Sequence, residues 1–445
     1  MYHCRHNEIA LQHNAMSKPV NPKPATEDLL LEALRSIQIA AREYPGGLSA
    51  ALRSVDRRVN SSATLRLQEL SECLSDIIVK DSRFLGDVVH MVASVGGKSG
   101  FYPMFVGQKL VLQLLELGSS EKAIQWLDKV LHTSEADGQM ITLIRGAPVT
   151  TSVDLTSRLR LVPLSDLPDS PQKRRMTSFD FSQRPSVAGM LDWEPPSSAL
   201  VISYPKHPFL VGQEDPVAGD YIADSDLVSD AILALTIVGP RIVIHAVNWF
   251  SFDDPDLEAA RLGVSLSSRN VEVIPNRRLE AFPPLDAAMA QQAVEAFISL
   301  KGSAKEKVRI ALSRLRLALS RHSTGDKALE VAIAFETLLE DGGNAEMTHK
   351  IKVRTARLIG GSPAERERNA AIVGKTYEVR SAVVHKGHVD PSMSLRLRQG
   401  EAKVSAESVV ALAMEVCAKL IWTILRRQNI PVWTSFDVAE HTGGE

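Results

Sequence analysis

Regularly placed glycine breaks in the last third of the chain constrain the fold most strongly. Between these breaks lie segments of helical length whose apolar residues recur at helical spacing. In one of them Ala328, Phe335 and Leu338 share an apolar face, as the core of a helical bundle requires. No strand pattern follows residue 285, so we predict a bundle. Its helices are predicted over residues 286–301, 305–321, 327–340, 345–359, 364–386 and 406–427.

The first third of the chain also has helical spacing. Leu30, Leu34 and Ile37 lie on one face of a predicted helix that ends at Pro45. Further helices are predicted over residues 64–79, 84–95, 106–117 and 121–131. The sequence therefore predicts an all-α region here. Met16 is an alternative start, which would make the residues before it a translational extension.

Prolines separate short apolar runs in the middle of the chain, a pattern typical of strands and loops. Strands are predicted over residues 140–144, 158–162, 199–203 and 241–247, a helix packed on their sheet over 226–235, and a loop over 164–189. We therefore expect a multidomain protein with a central α+β region. The expected segments are a flexible N-terminal segment (1–24), a helical domain (25–133), an α+β domain (134–285), a helical bundle (286–430) and a C-terminal tail (431–445).

Composition excludes several classes of protein. At 44% hydrophobic and 23% charged residues, the chain is neither disordered nor collagenous. Cys4, Cys73 and Cys417 are too far apart in sequence to suggest a disulfide scaffold or a zinc site, so we expect a reducing, cytoplasmic location and no metal or cofactor. The apolar stretch 231–247 is interrupted by Gly239-Pro240-Arg241. We therefore expect no membrane span, and the first 24 residues lack the apolar core of a secretory signal.

Charge is unevenly distributed along the chain. The net formal charge is −2, yet residues 301–430 contain 23 Lys and Arg against 14 Asp and Glu. A basic segment joined to an acidic remainder indicates an anionic partner, nucleic acid first. The alternative is a solvated, basic bundle surface.

One glycine-rich motif resembles a phosphate loop but lacks its spacing. In Val95-Gly96-Gly97-Lys98-Ser99, the first glycine of a phosphate loop would fall at Val92, which lies in a predicted helix. Phosphate-loop chemistry is therefore not expected.

The segment from Tyr377 to Gly387 carries the candidate chemistry. Arg380 precedes His385 by five positions, Ser381 lies one helical turn before His385, and the helix ends at Gly387. Histidine exchanges protons near neutral pH, and a guanidinium stabilises charge that develops on phosphorus. The trio suits phosphodiester chemistry. The alternative is that Arg380 and His385 only cover and cap the helix end.

Residues 307–427 resemble the Apea-like HEPN domain, whose signature is an arginine followed at this spacing by a histidine. Besides the Arg380–His385 pair, the resemblance rests on the order and spacing of the preceding helices, including the one that carries Phe335 and Glu336 and the one that carries Arg354. This resemblance implies a C-terminal HEPN-type bundle that dimerises and, in active members, cleaves RNA without a metal.

Carried over to this chain, the resemblance assigns Arg380, His385, Ser381 and Glu336 to the catalytic site. Ser381 stands where catalytic members often have Asn, Asp or His. We expect RNA contacts from Lys386, Arg354 and Tyr377. In the expected reaction the ribose 2′-OH attacks phosphorus, His385 transfers a proton and Arg380 stabilises the phosphorane.

Two other functions fit the same resemblance. A non-catalytic protein could bind or sense RNA or a nucleotide, and a structural module could use the bundle only to dimerise. The expected partners are RNA and a second copy of the chain, with no membrane. By analogy alone, the ribonuclease would be a defence or toxin-like effector that its N-terminal regions control.

Overall fold

The computed structural model forms two compact units, one drawn from residues 26–90 and 101–132, the other from residues 91–100 and 133–439. It describes residues 26–54, 56–84, 90–170, 172–173, 196–217, 219–261, 282–342 and 346–439. The chain is rich in helices and also contains small sheets, as expected of an α-rich protein with an α+β region. The predicted flexible segment 1–24 lies outside the described residues, as does most of the predicted loop 164–189.

The first unit is helical. Its helices are α1 (Thr26–Glu43), α2 (Leu48–Leu52), α3 (Arg57–Ile78), α4 (Pro103–Leu117) and α5 (Ser120–His132). Leu30, Leu34 and Ile37 are buried on α1, as their spacing predicts. Gly118, with φ +68°, ends α4 in the left-handed conformation that favours glycine.

The prediction of a helix over residues 84–95 is wrong. Strand β1 (His90–Ser94) pairs antiparallel with β2 (Gly97–Gly100), and β7 (Leu210–Gly212) lies on the other side of β1. A short apolar run does not distinguish a buried strand from a helix, which explains the error. Lys98 Nζ donates to the carbonyl of Gln213 at 2.6 Å and to that of Asp215 at 2.5 Å. Lys98 therefore bonds to backbone carbonyls, in keeping with the rejection of a phosphate loop.

The second unit contains a five-stranded antiparallel sheet in the order β4-β5-β6-β3-β8. Its strands are β3 (Glu135–Arg145), β4 (Val153–Asp154), β5 (Leu159–Pro163), β6 (Ser198–Pro208) and β8 (Ile244–Phe252). They include all four predicted strands, whereas β4 and β7 are too short to leave a sequence pattern. Two helices accompany the sheet, α6 (Tyr221–Leu235) and α7 (Pro255–Ala260).

The same unit contains the helical bundle. Its helices are α8 (Ala287–Ser299), α9 (Gly302–Ser320), α10 (Thr324–Leu339), α11 (Met347–Ile359), α12 (Pro363–Lys386), α13 (Ala406–Arg427) and α14 (Trp433–Val438). The six predicted helices are present, with ends within three residues of those predicted. Helix α10 packs against α9, α12 and α13, and its Val331, Phe335 and Leu338 are fully buried.

The α+β region and the bundle share contacts within this unit. The most extensive contacts of α6 are with α8 and α9, rather than with the sheet on which the sequence placed it. Asp230 on α6 is buried and accepts from Arg309 at 2.8 Å and Lys305 at 3.1 Å. The predicted limit at residue 285 thus falls inside one compact unit.

Helix α13 is long and apolar enough to cross a membrane by length and composition, although the sequence predicted no span. Within its most apolar window, 56% is buried, and Val410, Cys417 and Ile421 belong to the bundle core. A core helix has the same apolar composition as a membrane span, so its packing in the bundle accounts for this property.

A small ladder follows α12. Strands β9 (Ser394–Leu395) and β10 (Val404–Ser405) pair antiparallel, so the expectation of no strand after residue 285 is wrong. Two paired residues on each strand are too few to produce a periodic pattern.

Candidate functional site

Helix α12 positions the candidate motif in its last two turns. The helix begins with a capping box, in which the Ser362 hydroxyl accepts from the Glu365 backbone and the Glu365 carboxylate accepts from the Ser362 backbone at 2.8 Å. It ends at Gly387, whose φ is +76° and whose N–H donates to the Val383 carbonyl at 2.8 Å. Both ends of the motif helix are therefore defined by local sequence.

The structure brings Arg380 and Glu336 together, as the resemblance implies. Arg380 Nη2 lies 3.5 Å from Glu336 Oε1, which joins α12 to α10. The Tyr377 hydroxyl donates to the same carboxylate oxygen at 3.1 Å, and the Arg380 guanidinium lies 5.7 Å from the Tyr377 ring centroid. Arg380 keeps 34% of its side chain exposed. The guanidinium is thus oriented by two neighbours and still reaches solvent.

Tyr377 is an internal support for this arrangement. Its side chain is buried, and burial together with the neighbouring Glu336 carboxylate raises the pKa of the Tyr377 phenol. The phenol therefore stays neutral and acts as a hydrogen-bond donor. Part of Tyr377 lines a neighbouring cleft. The expected contact with RNA is open only to that part of the residue.

Ser381, His385 and Lys386 are exposed on the last turns of α12. Ser381 and His385 are one turn apart and share a face of the helix. Neither side chain hydrogen-bonds to another residue in the described part of the chain. These exposed hydroxyl and imidazole groups lie on the same two turns of α12 as Arg380 and are available to a phosphodiester.

Arg354 is placed elsewhere. Its side chain is only 1% exposed, and its guanidinium donates to Asp341 and Asp437, each at 2.6 Å, and to the Leu339 carbonyl. It also lies 5.1 Å from the Trp433 ring centroid. RNA could reach this cation only by displacing both carboxylates. The structure therefore gives Arg354 a structural role in place of the expected RNA contact.

Sequence reasoning missed Lys352 and Thr348, which lie one turn apart on α11 and face α12 across a cleft that Ser381 also lines. Their four-residue spacing was a signal for a shared face. The described residues contain no group of three or more His, Cys, Asp or Glu side chains placed to hold a metal ion.

Comparison with known proteins gives no assignment for this site. A scan against protein-family models found no match, and neither a search of curated proteins nor a search of solved structures found one. The arrangement of Arg380, Glu336 and the exposed end of α12 is therefore the basis for a function.

Proposed function

We propose that this chain is a metal-independent, HEPN-type endoribonuclease. The observation that carries the proposal is the division of roles on α12: Arg380 is oriented by Glu336, whereas Ser381 and His385 remain exposed on the same two turns. Arg380 differs in this respect from Arg354, whose side chain is only 1% exposed. The basic balance of residues 301–430 supports an anionic substrate.

Cleavage requires two proton transfers, one from the attacking 2′ oxygen and one to the departing 5′ oxygen. As the 2′-OH of the ribose loses its proton to a base, its oxygen forms a bond to the adjacent phosphorus. The bond from phosphorus to the 5′ oxygen then breaks, and that oxygen receives a proton from an acid. His385 serves in these transfers and Arg380 stabilises the phosphorane. The products are a 2′,3′-cyclic phosphate and a 5′-hydroxyl.

The proposal includes a homodimer, because the reaction uses both a base and an acid and each motif supplies one histidine. A two-fold axis near the end of α12 would bring two motifs to one phosphate. Val384, next to His385, is 57% exposed, and a two-fold contact at this end of α12 would bury it.

A second candidate function is binding of RNA without cleavage. The ion pair between Arg380 and Glu336 favours it, because the carboxylate already compensates part of the charge that would stabilise a phosphorane. By the family resemblance, we also propose a cytoplasmic location and a defence or toxin-like role under the control of the N-terminal regions.

The test is incubation of the purified full chain with total RNA in EDTA. We expect the wild type to cleave RNA but not DNA and to leave 2′,3′-cyclic phosphate ends, and we expect Arg380→Ala and His385→Ala to be inactive. His388→Ala is the matched control, since His388 is also exposed and lies just beyond Gly387. Cleavage that persists in His385→Ala would exclude His385 from the mechanism. RNA binding without cleavage by the wild type would establish the second function, binding alone.

A further inference from the structure

A cleft between α11 and α12 begins at the candidate site. Its volume is about 480 Å³, within the range of sites that take a nucleotide-sized ligand. Ser381 lies at one end, and Gly374 and Ala371 follow along α12 at intervals of about two turns and one turn. The cleft therefore extends about 15 Å from the motif towards the start of α12, a distance that follows from the helical rise.

Lys352 gives the cleft an uncompensated positive charge. Within the described part of the chain Lys352 has no ion-pair partner, whereas Lys375 is paired with Glu378 at 2.6 Å. Its side chain lies over Gly374: a Cβ atom at that position would be 3.1 Å from Lys352 Cδ and 3.5 Å from its Nζ. The missing side chain at Gly374 thus makes the space that the lysine occupies.

The other lining residues suit the rest of a nucleotide. Thr348 and Ser381 supply hydroxyl groups, which hydrogen-bond to phosphate or ribose oxygens, and Ala371 and Leu397 supply apolar surface. An ammonium, two hydroxyls and apolar surface in one groove supply partners for a phosphate, a sugar and a base.

We propose that this cleft binds the nucleotide of the RNA strand next to the two that the scissile phosphate joins, with Lys352 contacting its phosphate. The inference rests on the proposed function, because Ser381 joins the cleft to the motif that holds the scissile phosphate. A strand anchored in this way is fixed in register, and its cleavage depends on a nucleotide that takes no part in the chemistry.

The first test measures binding by the full-length His385→Ala protein, so that the RNA stays intact. The affinity for a labelled single-stranded oligoribonucleotide is measured over a range of salt concentrations, with and without Lys352→Gln. We expect Kd to rise about five- to tenfold and the slope of log K against log salt to decrease by about 0.7, the loss of one phosphate contact to a single strand.

Lys307→Gln is the matched control. Lys307, on α9, is also half-buried, has no ion pair within the described residues and lies away from this cleft. Lys307→Gln makes the same change of charge as Lys352→Gln. We expect the affinity of this variant for RNA and its salt slope to equal those of the parent His385→Ala protein. A second variant, Gly374→Leu, fills the cleft and should weaken binding as Lys352→Gln does.

Substrate length separates this inference from the proposed function. In the active protein, Lys352→Gln should reduce kcat/KM about five- to tenfold for a longer oligonucleotide and leave that of a dinucleotide unchanged. Equal effects of Lys352→Gln and Lys307→Gln overturn the cleft assignment and leave the nuclease in place. If the wild type neither binds nor cleaves RNA, both proposals fail.

A free nucleotide is the other source of the same chemistry. One outcome is that AMP binds to the wild type and fails to bind to Lys352→Gln, yet neither competes with the oligonucleotide nor alters its cleavage. In that case the cleft serves a separate ligand, and the assignment to the RNA strand is overturned. Competition between AMP and the oligonucleotide that depends on Lys352 supports it.

Discussion

The Arg380 guanidinium lies 3.5 Å from the Glu336 carboxylate, on the facing helices α12 and α10. This ion pair has two opposite effects on the proposed reaction. Glu336 holds the guanidinium in one orientation, which favours a stabilised phosphorane. The same carboxylate competes with an RNA phosphate for the guanidinium charge and so weakens ground-state binding.

Glu336→Gln separates the two effects. We expect kcat to fall about 10- to 100-fold, because Arg380 loses its orientation, while the affinity for RNA does not fall. Single-turnover cleavage and binding to an uncleavable 2′-deoxy oligonucleotide give the two quantities. Tyr377→Phe is the control: it removes the donor to Glu336 but keeps the ring under Arg380, so its loss of rate should be smaller. An unchanged rate in Glu336→Gln would exclude Glu336 as a positioning residue.

Gly325 sets the distance between α10 and the end of α12. A Cβ atom at Gly325 would lie 2.2 Å from Val383 Cγ2, so either the Val383 side chain or one of the two helices must shift. We expect Gly325→Ala to lower the free energy of unfolding by about 1–3 kcal/mol and to displace the motif, despite the better helix propensity of alanine. Urea denaturation and RNA cleavage measure the two effects.

Gly374→Ala is the matched control for this change, because the three atoms nearest the added Cβ all belong to the flexible Lys352 side chain. Its free energy of unfolding should stay equal to that of the wild type or rise by up to about 1 kcal/mol. If Gly325→Ala is as stable as Gly374→Ala, the close approach of the two helices does not limit packing.

Arg354 should matter for stability. Removing this buried cation breaks the ion pair of Asp437 and leaves Asp341 with Lys350 at the longer distance of 3.4 Å, so Arg354→Met should cost about 3–5 kcal/mol. Arg357→Met should cost less, since Arg357 is more exposed and its guanidinium donates to the backbone carbonyls of residues 437 and 439, which carry no formal charge. Equal midpoints of chemical denaturation for the two variants would contradict the structural role.

The bundle was predictable because its helices are long, periodic and separated by glycines. Gly387 and Gly360 end their helices with φ of +76°, a conformation that glycine adopts without strain. The hairpin at residues 90–100 was not predictable, because a few alternating residues carry no decisive period. Short strands such as β9 depend on tertiary pairing and leave no local signal.

The candidate site was predictable as a set of residue types but not as a geometry. The spacing of Arg380 and His385 located the motif, and helix order placed Glu336 opposite it. The burial of Arg354 was not predictable, because its partner Asp437 is 83 residues away in a segment expected to be a tail. The contact between the Lys352 side chain and Gly374 was also not predictable, because the two residues lie on different helices and meet only in the folded chain.

Val384→Asp tests the proposed dimer. A charge on this exposed position should repel its symmetry mate and separate the two motifs, so we expect a monomer with RNA cleavage reduced at least about tenfold. Analytical ultracentrifugation gives the oligomeric state. Val432→Asp, also at a highly exposed valine, should leave the oligomer and the activity unchanged. A fully active Val384→Asp monomer would remove the dimer from the mechanism.

His207 should make the fold sensitive to acid. Its ring is buried against Phe250, with 4.8 Å between centroids, and among the residues that the structure describes its Nε2 has no hydrogen-bond partner. Burial, reinforced by the charge of Arg261, lowers the pKa of the His207 imidazole below its usual value near 6.5. Below about pH 6.5 the unfolded chain therefore binds a proton that the folded chain does not, and the free energy of unfolding decreases until the pH passes the folded pKa.

This contribution of His207 cannot exceed about 1.4 kcal/mol per pH unit. Denaturant titrations between about pH 7 and pH 5 should show a flatter pH dependence in His207→Phe, which keeps an aromatic ring and cannot bind the proton; curves that stay parallel to those of the wild type would contradict the assignment.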